Sequence, residues 1–425
     1  MADSVETPVT DVSPYLKQVR VRDYPPLRDA KVDFKPGLNI IIGKNGAGKT
    51  RFLTLLNSLT NLEQEHFNGA GCDFTISGQK EVRVSVAWPA KAEDASEAVA
   101  QYVGDTALKL LVGSAQSTRV VEAHTIAEAI RQPAFDFYLS YAVVFIRHGL
   151  PASGLPIVDE GAELLLEKRG FFVNSKNGSK RLHEIESRLG QAMLRTIVTT
   201  IRNGFTVLNG VPSAPLTAEA ASTLIRQVIA VYVDYINHYL PLYSPLKAVR
   251  CSDSLQVYYN SFLDEYIIKG LAFEYQMAET WLPFSALSDG TKRLFYLLTE
   301  MMGPASVSIN KQTGKIKTTT EHRIILLEEP ELGVHPHQLH LVLNLIREVS
   351  REHQVILTTH APQVLDMLGK KELDRISVCE VTTKKGTQFR KLSRTKQAQA
   401  RIYMQETGFL SDYWRYSYLE GDGTR

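Results

Sequence analysis

The chain has 425 residues, 44% hydrophobic and 22% charged, a balance that excludes a disordered or fibrous protein and leaves room for two or three domains. Its 48 basic and 46 acidic residues leave a net charge of +2, so contact with nucleic acid has to come from a local patch. The three cysteines, Cys72, Cys251 and Cys379, stand too far apart for a disulfide framework or a zinc site and fit a reducing compartment.

Residues 1–13 read as a tail. Tyr15 to Arg22 alternates apolar and polar side chains and predicts a strand; Asp23-Tyr24-Pro25-Pro26 turns the chain, and Ala30 to Phe34 returns. Pro36-Gly37 launches the apolar run Leu38–Ile42, a buried strand, and Gly43 to Thr50 (GKNGAGKT) follows at once. This octapeptide meets G-x-x-x-x-G-K-[ST] at every fixed position. Arg51 to Leu62 then has helical spacing, with Phe52, Leu55, Leu56, Leu59 and Leu62 on one face. Strand, glycine loop and helix start come in the order a phosphate site needs. Gly43, Gly46 and Gly48, with Asn45 among them, leave backbone N–H groups bare for phosphate oxygens, and the helix adds its positive end. Lys49 is expected to reach the β and γ phosphates and Thr50 to set its hydroxyl on Mg²⁺.

Asp73–Ser77 and Glu81–Trp88 predict a hairpin, Glu93–Ala115 a mostly helical stretch and Tyr141–Ile146 a buried strand. From Pro151 to Arg250 a loop-rich start leads into two long helical patterns, Leu182–Arg202 and Thr217–Leu240, read as a compact helical insertion that either completes the core or offers a partner surface. Ser254–Met277 suggests a strand pair.

Leu287-Ser288-Asp289-Gly290-Thr291-Lys292-Arg293 stands before an apolar helix, Leu294–Met302. Ser288 and Gly290 suit a grip on a terminal phosphate, and Ser288 and Asp289 equally suit an N-cap. Ile324–Leu327 is a buried strand running into Glu328-Glu329-Pro330-Glu331. Carboxylates there, in a chain with a phosphate loop, call for metal and water chemistry: Glu328 toward Mg²⁺ and Glu329 toward the attacking water. Val355–Thr359 is a third buried strand, and His360 at its C-terminal end can bond a γ-phosphate.

GKNGAGKT, LSDGTKR, IILLEEPELGVHP and ILTTHAP, in that order, resemble the ABC-type ATPase heads of the RecF, SMC and OLD branch, and most of all the AAA-type ATPases of bacterial anti-phage systems. The motifs cover roughly residues 15–60 and 284–370, and the resemblance does not extend to the middle. The resemblance implies an α/β fold, a P-loop ATPase head with a mixed sheet, an antiparallel β lobe and a helical insertion. It also implies ATP and Mg²⁺ as ligands and two heads closing head to tail, with Lys49 and Thr50 of one facing Ser288 and Gly290 of the other. Glu329 takes the place of the catalytic glutamate, His360 that of the switch histidine, and Leu332–Pro336 that of the segment crossing the dimer interface. Glu328 stands where the branch usually has Asp, which suggests slow hydrolysis. Gln132 is a guess for the metal-contacting glutamine, and Arg22 to Tyr24 for the neighbours of adenine.

The expected segments are 1–150 and 251–370 as the two parts of the head, 151–250 as the insertion and 371–425 as a basic hairpin and helix. Lys370 to Arg401 carries ten basic residues against three acidic ones, a candidate contact for DNA phosphates or a solvated face. The 65 residues after His360 are too few for the Toprim nuclease of the OLD family proper. The leading expectation is an ATP-driven switch that dimerises and controls a separate effector, a nuclease or toxin in anti-phage defence. The alternatives are a DNA-repair or DNA-end-binding ATPase and, third, a transporter motor. Residues 1–14 do not resemble a signal peptide, and no apolar run approaches the ~20 residues of a membrane helix. A cytoplasmic protein without a membrane partner is expected.

Overall fold

Runs such as LNIII, RIILLE and QVILTT have no polar face to show water, so strands built from them are stable only when covered on both sides. A computed structural model of the chain describes residues 13–61, 70–78, 82–87, 107–114, 117–123, 142–147, 163–167, 170–175, 178–181, 188–204, 216–303, 306–309, 316–319, 322–406, 408–417 and 419. It divides into two compact units: Met1–Arg147, His322–Glu331 and Ile346–Arg425 form the first, His148–Glu321 and Leu332–Leu345 the second. The four consecutive segments expected from the sequence are thus interleaved, and residues 251–321 group with 148–250.

The first unit begins with β1 (Tyr15–Tyr24), β2 (Leu27–Asp33), β3 (Leu38–Ile42), α1 (Lys49–Asn61), β4 (Gly71–Ser77), β5 (Val82–Ala87), β6 (Ala107–Ser114), β7 (Ser117–Ala123) and β8 (Ala142–Ile146). The second contributes β9 (Glu163–Glu167), β10 (Gly170–Ser175), β11 (Gly178–Arg181), α2 (Arg188–Gly204), α3 (Ala218–Tyr243), β12 (Ala248–Cys251), β13 (Gln256–Asn260) and β14 (Glu265–Lys269). It continues through β15 (Phe273–Met277), β16 (Thr280–Pro283), α4 (Asp289–Met302), β17 (Ser306–Ile309) and β18 (Ile316–Thr319). The chain then runs through β19 (Arg323–Glu328), α5 (Leu339–Glu352), β20 (Gln354–Thr359), β21 (Ile376–Thr382), β22 (Gly386–Lys391), α6 (Arg394–Glu406) and α7 (Leu410–Ser417).

Twelve strands of the first unit make one mixed sheet in the order β7-β6-β5-β4-β1-β2-β22-β21-β3-β20-β19-β8. Strands β21, β3, β20, β19 and β8 pair in parallel, and the wing from β22 to β7 is antiparallel. Every residue of β3, β19 and β20 is buried, whereas β1 and β2 bury residues intermittently, as a half-solvated wing requires. Helix α1 lays Phe52, Leu53, Leu55 and Leu56 into one core with Val19, Val21, Leu27, Ile41, Leu326 and Ile356. Fully burying a side chain of this size stabilises the fold by about 1.5–3 kcal/mol. Buried Gln354 fixes the start of β20, accepting from Leu16 N at 2.8 Å and donating to Leu16 O at 2.9 Å.

Two expectations are corrected here. Residues 151–250 are not wholly helical: β9, β10 and β11 precede the two helices and join β14 and β13 in a five-stranded sheet. Their partner β14 lies about a hundred residues on, too far for local pattern to reveal. Likewise Ala107–Ser114, read as helix, is a strand; its apolar pattern suits either state, and pairing on both sides decides. Ser254–Met277 supplies the β13–β14 hairpin together with β15, which belongs to a different, three-stranded sheet. The rest of the Glu93–Ala115 stretch, Gln132 and Pro151–Gly161 lie outside the described residues.

His353 packs in the first unit with ring centroids 5.8 Å from His322 and with Arg323 nearby. Burial, then the Arg323 and His322 charges, push its pKa from 6.5 down to about 4. Between these values the unfolded chain binds the proton that the folded chain refuses, so stability rises with pH through the window. The contribution is complete above about pH 6.5 and is lost toward pH 4. We expect the melting temperature to fall through that window and His353→Gln to flatten the fall. A pH profile unchanged by the substitution would refute the assignment.

Candidate active site

Parallel pairing brings three strand ends to one edge. Ile42 is opposite Thr359 and Ile41 opposite Thr358, while Glu328 is opposite Thr358 on the other side. Neighbouring strands lie about 4.8 Å apart, so Gly43, Glu329 and His360, one step past these ends, share a single rim. Ligands of open α/β sheets sit at this edge.

The phosphate loop is braced from beneath by the β21–β22 hairpin. Ala47 O accepts from Thr387 Oγ1 at 2.8 Å and from Cys379 Sγ at 3.3 Å. A Cβ on Gly43 would come 2.2 Å from Cys379 O, and one on Gly48, where φ is +99°, would come 2.6 Å from Thr387 Oγ1. Both glycines are demanded by close approach as well as by phosphate access. Nothing in the sequence pointed to Thr387 or Cys379, which lie over 330 residues from Ala47.

Lys49 is 5% exposed, and its Nζ donates to Gly43 O at 2.7 Å and Lys44 O at 3.1 Å. Among the described residues no carboxylate pairs with it. A buried ammonium held only by carbonyls suits an anionic ligand that completes its charge balance. Asn45 and Gly46 are exposed at the loop's crest. Thr50 Oγ1 donates to Glu328 Oε1, and Glu328 is buried. The longer side chain standing where the branch usually has Asp therefore reaches the Thr50 hydroxyl directly. Among the described residues no group of three His, Cys, Asp or Glu is assembled for a metal. One hydroxyl and one carboxylate are nevertheless what Mg²⁺ takes from a protein when phosphates and water complete its octahedron, so Thr50 and Glu328 fit that ion.

Glu329 has φ +45°, the left-handed region, and its N donates to Thr358 O at 3.0 Å. A non-glycine residue held there costs of order 1–3 kcal/mol. Its Oε2 accepts from His360 Nε2 at 2.9 Å. Glu331 Oε1 accepts from Thr359 Oγ1 at 2.6 Å, and burial raises this carboxyl above its ordinary range. Thr50, Glu328, Glu329 and His360 thus meet in two hydrogen-bonded pairs. Sequence reasoning left out Glu331; its place in the acid run was the available signal.

Ser288 and Gly290 lie in the second unit. Ser288 is the N-cap of α4 and accepts from Thr291 N at 3.3 Å, so the capping role holds, and its side chain is exposed. Gly290 faces the stretch after the acids: a Cβ there would lie 3.5 Å from Gly333 O and 3.7 Å from His335 N.

Two further groups are committed to the fold. Arg22 pairs with Asp73 at 2.8 Å, and Tyr24 is buried with the Arg51 guanidinium 4.3 Å over its ring. In the basic stretch, Arg375 donates to Leu38 O at 3.0 Å, Arg390 pairs with Glu380 at 3.2 Å and Arg401 donates to Lys370 O at 3.1 Å. Lys391, pushed down to about 8 by burial, donates to Ser377 Oγ at 2.9 Å. Lys370, Lys371, Lys384, Lys385 and Arg394 remain exposed.

Residues 15–109 match the family model described as "AAA ATPase domain", and residues 236–366 match "AAA domain, putative AbiEii toxin, Type IV TA system". The DNA replication and repair protein RecF of Lactococcus lactis subsp. cremoris is 24% identical over 213 residues, 40% of this chain and 58% of that protein's length. Among solved structures, the SMC head domain from Thermotoga maritima is 12% identical with a TM-score of 0.42, over 89% of this chain and 99% of that one. The Smc head domain with an extended coiled coil bound to the C-terminal domain of ScpA, derived from Pyrococcus furiosus, is 13% identical with a TM-score of 0.44, over 93% and 100%. The two matched models flank the middle of the chain and carry between them the phosphate loop, Ser288, the acid run and His360. Two stretches of the chain are thus similar to AAA-type ATPase domains, and 213 of its residues are similar to RecF.

Proposed function

We propose that this chain is a Mg²⁺-dependent ATPase that works as a switch, closing as a head-to-tail dimer on ATP and passing that state to a separate effector protein. The observation that carries the reading is the coincidence, at one strand edge, of Thr50 paired with Glu328 and His360 paired with Glu329. Lys49 and the loop N–H groups hold the β and γ phosphates, and Asn45 borders them. Thr50 and Glu328 would hold Mg²⁺, which would supply neutralisation of phosphate charge. Glu329 orients a water whose oxygen bonds the γ-phosphorus as the bond to the β,γ-bridging oxygen breaks; ADP leaves with that oxygen and the carboxylate takes the water's proton. His360, fixed by its bond to Glu329, is placed to meet a γ-phosphate oxygen.

The dimer reading rests on the exposed Ser288 and the neighbouring Gly333–His335 stretch. A helix N-terminus receives phosphate well, and the nucleotide of a second head is assigned to these donors. An effector in toxin–antitoxin or anti-phage defence is suggested by the matched family's description, which names a toxin of a Type IV system. No helix among the described residues is long and apolar enough to cross a membrane, which fits a cytoplasmic switch.

A second reading, an ATPase that binds DNA in repair, is favoured by the RecF relative and by exposed Lys384 and Lys385 in the β21–β22 turn. Hydrolysis stimulated by DNA and reduced by charge reversal at these two lysines would support it; hydrolysis indifferent to DNA would remove it.

Lys49→Ala is expected to abolish ATP binding by calorimetry, because the buried ammonium has no substitute; unchanged affinity would overturn the site. Glu329→Gln is expected to bind ATP normally, to lose hydrolysis by about 100-fold or more and to accumulate as a dimer in light scattering with ATP. Normal turnover by that variant would mean another residue prepares the water.

A further inference from the structure

Glu331 is three residues past the metal-side carboxylate and carries no role in hydrolysis as described above. It is half-buried, yet its Oε2 is shut off from solvent and has no hydrogen-bond partner among the described residues. A half-satisfied buried carboxyl weakens a fold, so packing alone does not account for it. Its Oε1 holds Thr359 Oγ1 at 2.6 Å, and that same hydroxyl accepts from Ala361 N at 2.9 Å. The Thr359 hydroxyl therefore spans His360, tying its own residue to the Ala361 backbone and to Glu331. Meanwhile His360 Nε2 reaches Glu329 Oε2 at 2.9 Å, and its buried Nδ1 has no partner among the described residues. The imidazole thus has one bond, to Glu329, and its direction otherwise follows the turn that carries it.

Resting on the ATPase reading, we infer that Glu331 is a positioning residue for hydrolysis, acting through the Thr359 hydroxyl to hold the turn that aims His360 at Glu329 and the γ-phosphate. The acid loop and the end of β20 are tied by two parallel links, Glu329 to His360 and Glu331 to Thr359. The first touches the reacting groups. The second keeps them in register, since a displacement of about 1 Å at a reacting group costs about 100-fold in rate.

The test uses the full chain and steady-state ATP hydrolysis with separately measured ATP binding and melting temperature. Thr359→Val, close in volume but without the hydroxyl, and Glu331→Ala are expected to lower kcat about 10- to 100-fold with ATP affinity and melting temperature little changed. Thr359→Ser and Glu331→Gln, which keep the donor and the acceptor, are expected to recover most of that loss. The double variant Thr359→Val with Glu331→Ala is expected to be no worse than either single one, because both break the same link. Unchanged kcat, affinity falling in step with kcat, or losses that multiply in the double variant would each overturn the inference. If the unaltered chain is inactive, or Glu329→Gln turns over normally, the ATPase reading fails and takes this inference with it. Activity that needs Glu329 but ignores Thr359 sinks the inference alone.

Discussion

Everything in the candidate site depends on the parallel register of three strands. β3 is opposite β20 and β20 opposite β19 such that all three end together, and each end hands the chain to a residue with chemistry: a glycine loop, an acid pair, a histidine. Parallel strands with no polar face are confined to a covered core, and this confinement makes the rim rigid. Hydrogen bonds along buried strands do not slip by one residue, since slippage would invert every side chain. The spacing between phosphate and water-handling groups is thus set by backbone geometry before any side chain is considered.

On that rim, strain and hydrogen bonding oppose each other. Glu329 sits in a left-handed conformation, held by its N–H bond to Thr358 O and its side-chain bond to His360. Such a residue has little freedom to relax when charge changes beside it, which is the sense in which an active site is preorganised. The bond between Thr50 and Glu328 holds the neighbouring pair in the same way.

Much of this was legible in the sequence, and the reasons it was legible are physical. Glycines where no Cβ fits, buried strands of Ile, Leu and Val, and acids or a histidine at strand ends are all local signatures, and GKNGAGKT, IILLEE and ILTTH announced them. What stayed hidden depends on distant pairing. Strands β9 to β11 exist because β14 completes their sheet, and Ala107–Ser114 is extended because strands lie on both sides of it. The basic stretch looked uniform as letters, whereas in the fold Arg375, Arg390 and Lys391 are spoken for and the turn lysines are not. Thr387 and Cys379 belong to no motif, and only the close approach of their hairpin to Ala47 shows their part.

That approach bears on how the molecule is made. Both sheet neighbours of β3, β20 and β21, begin more than 310 residues later in the chain, and the brace under the loop comes later still. A growing polypeptide carries its GKNGAGKT segment without these sheet neighbours until β20 and β21 have been made. Contacts this remote in sequence form slowly, because a long loop must close before any of them is gained. Competence to hold a nucleotide therefore waits on strands made long after the motif, and a nascent chain stalled short of β22 has the motif without the brace beneath it.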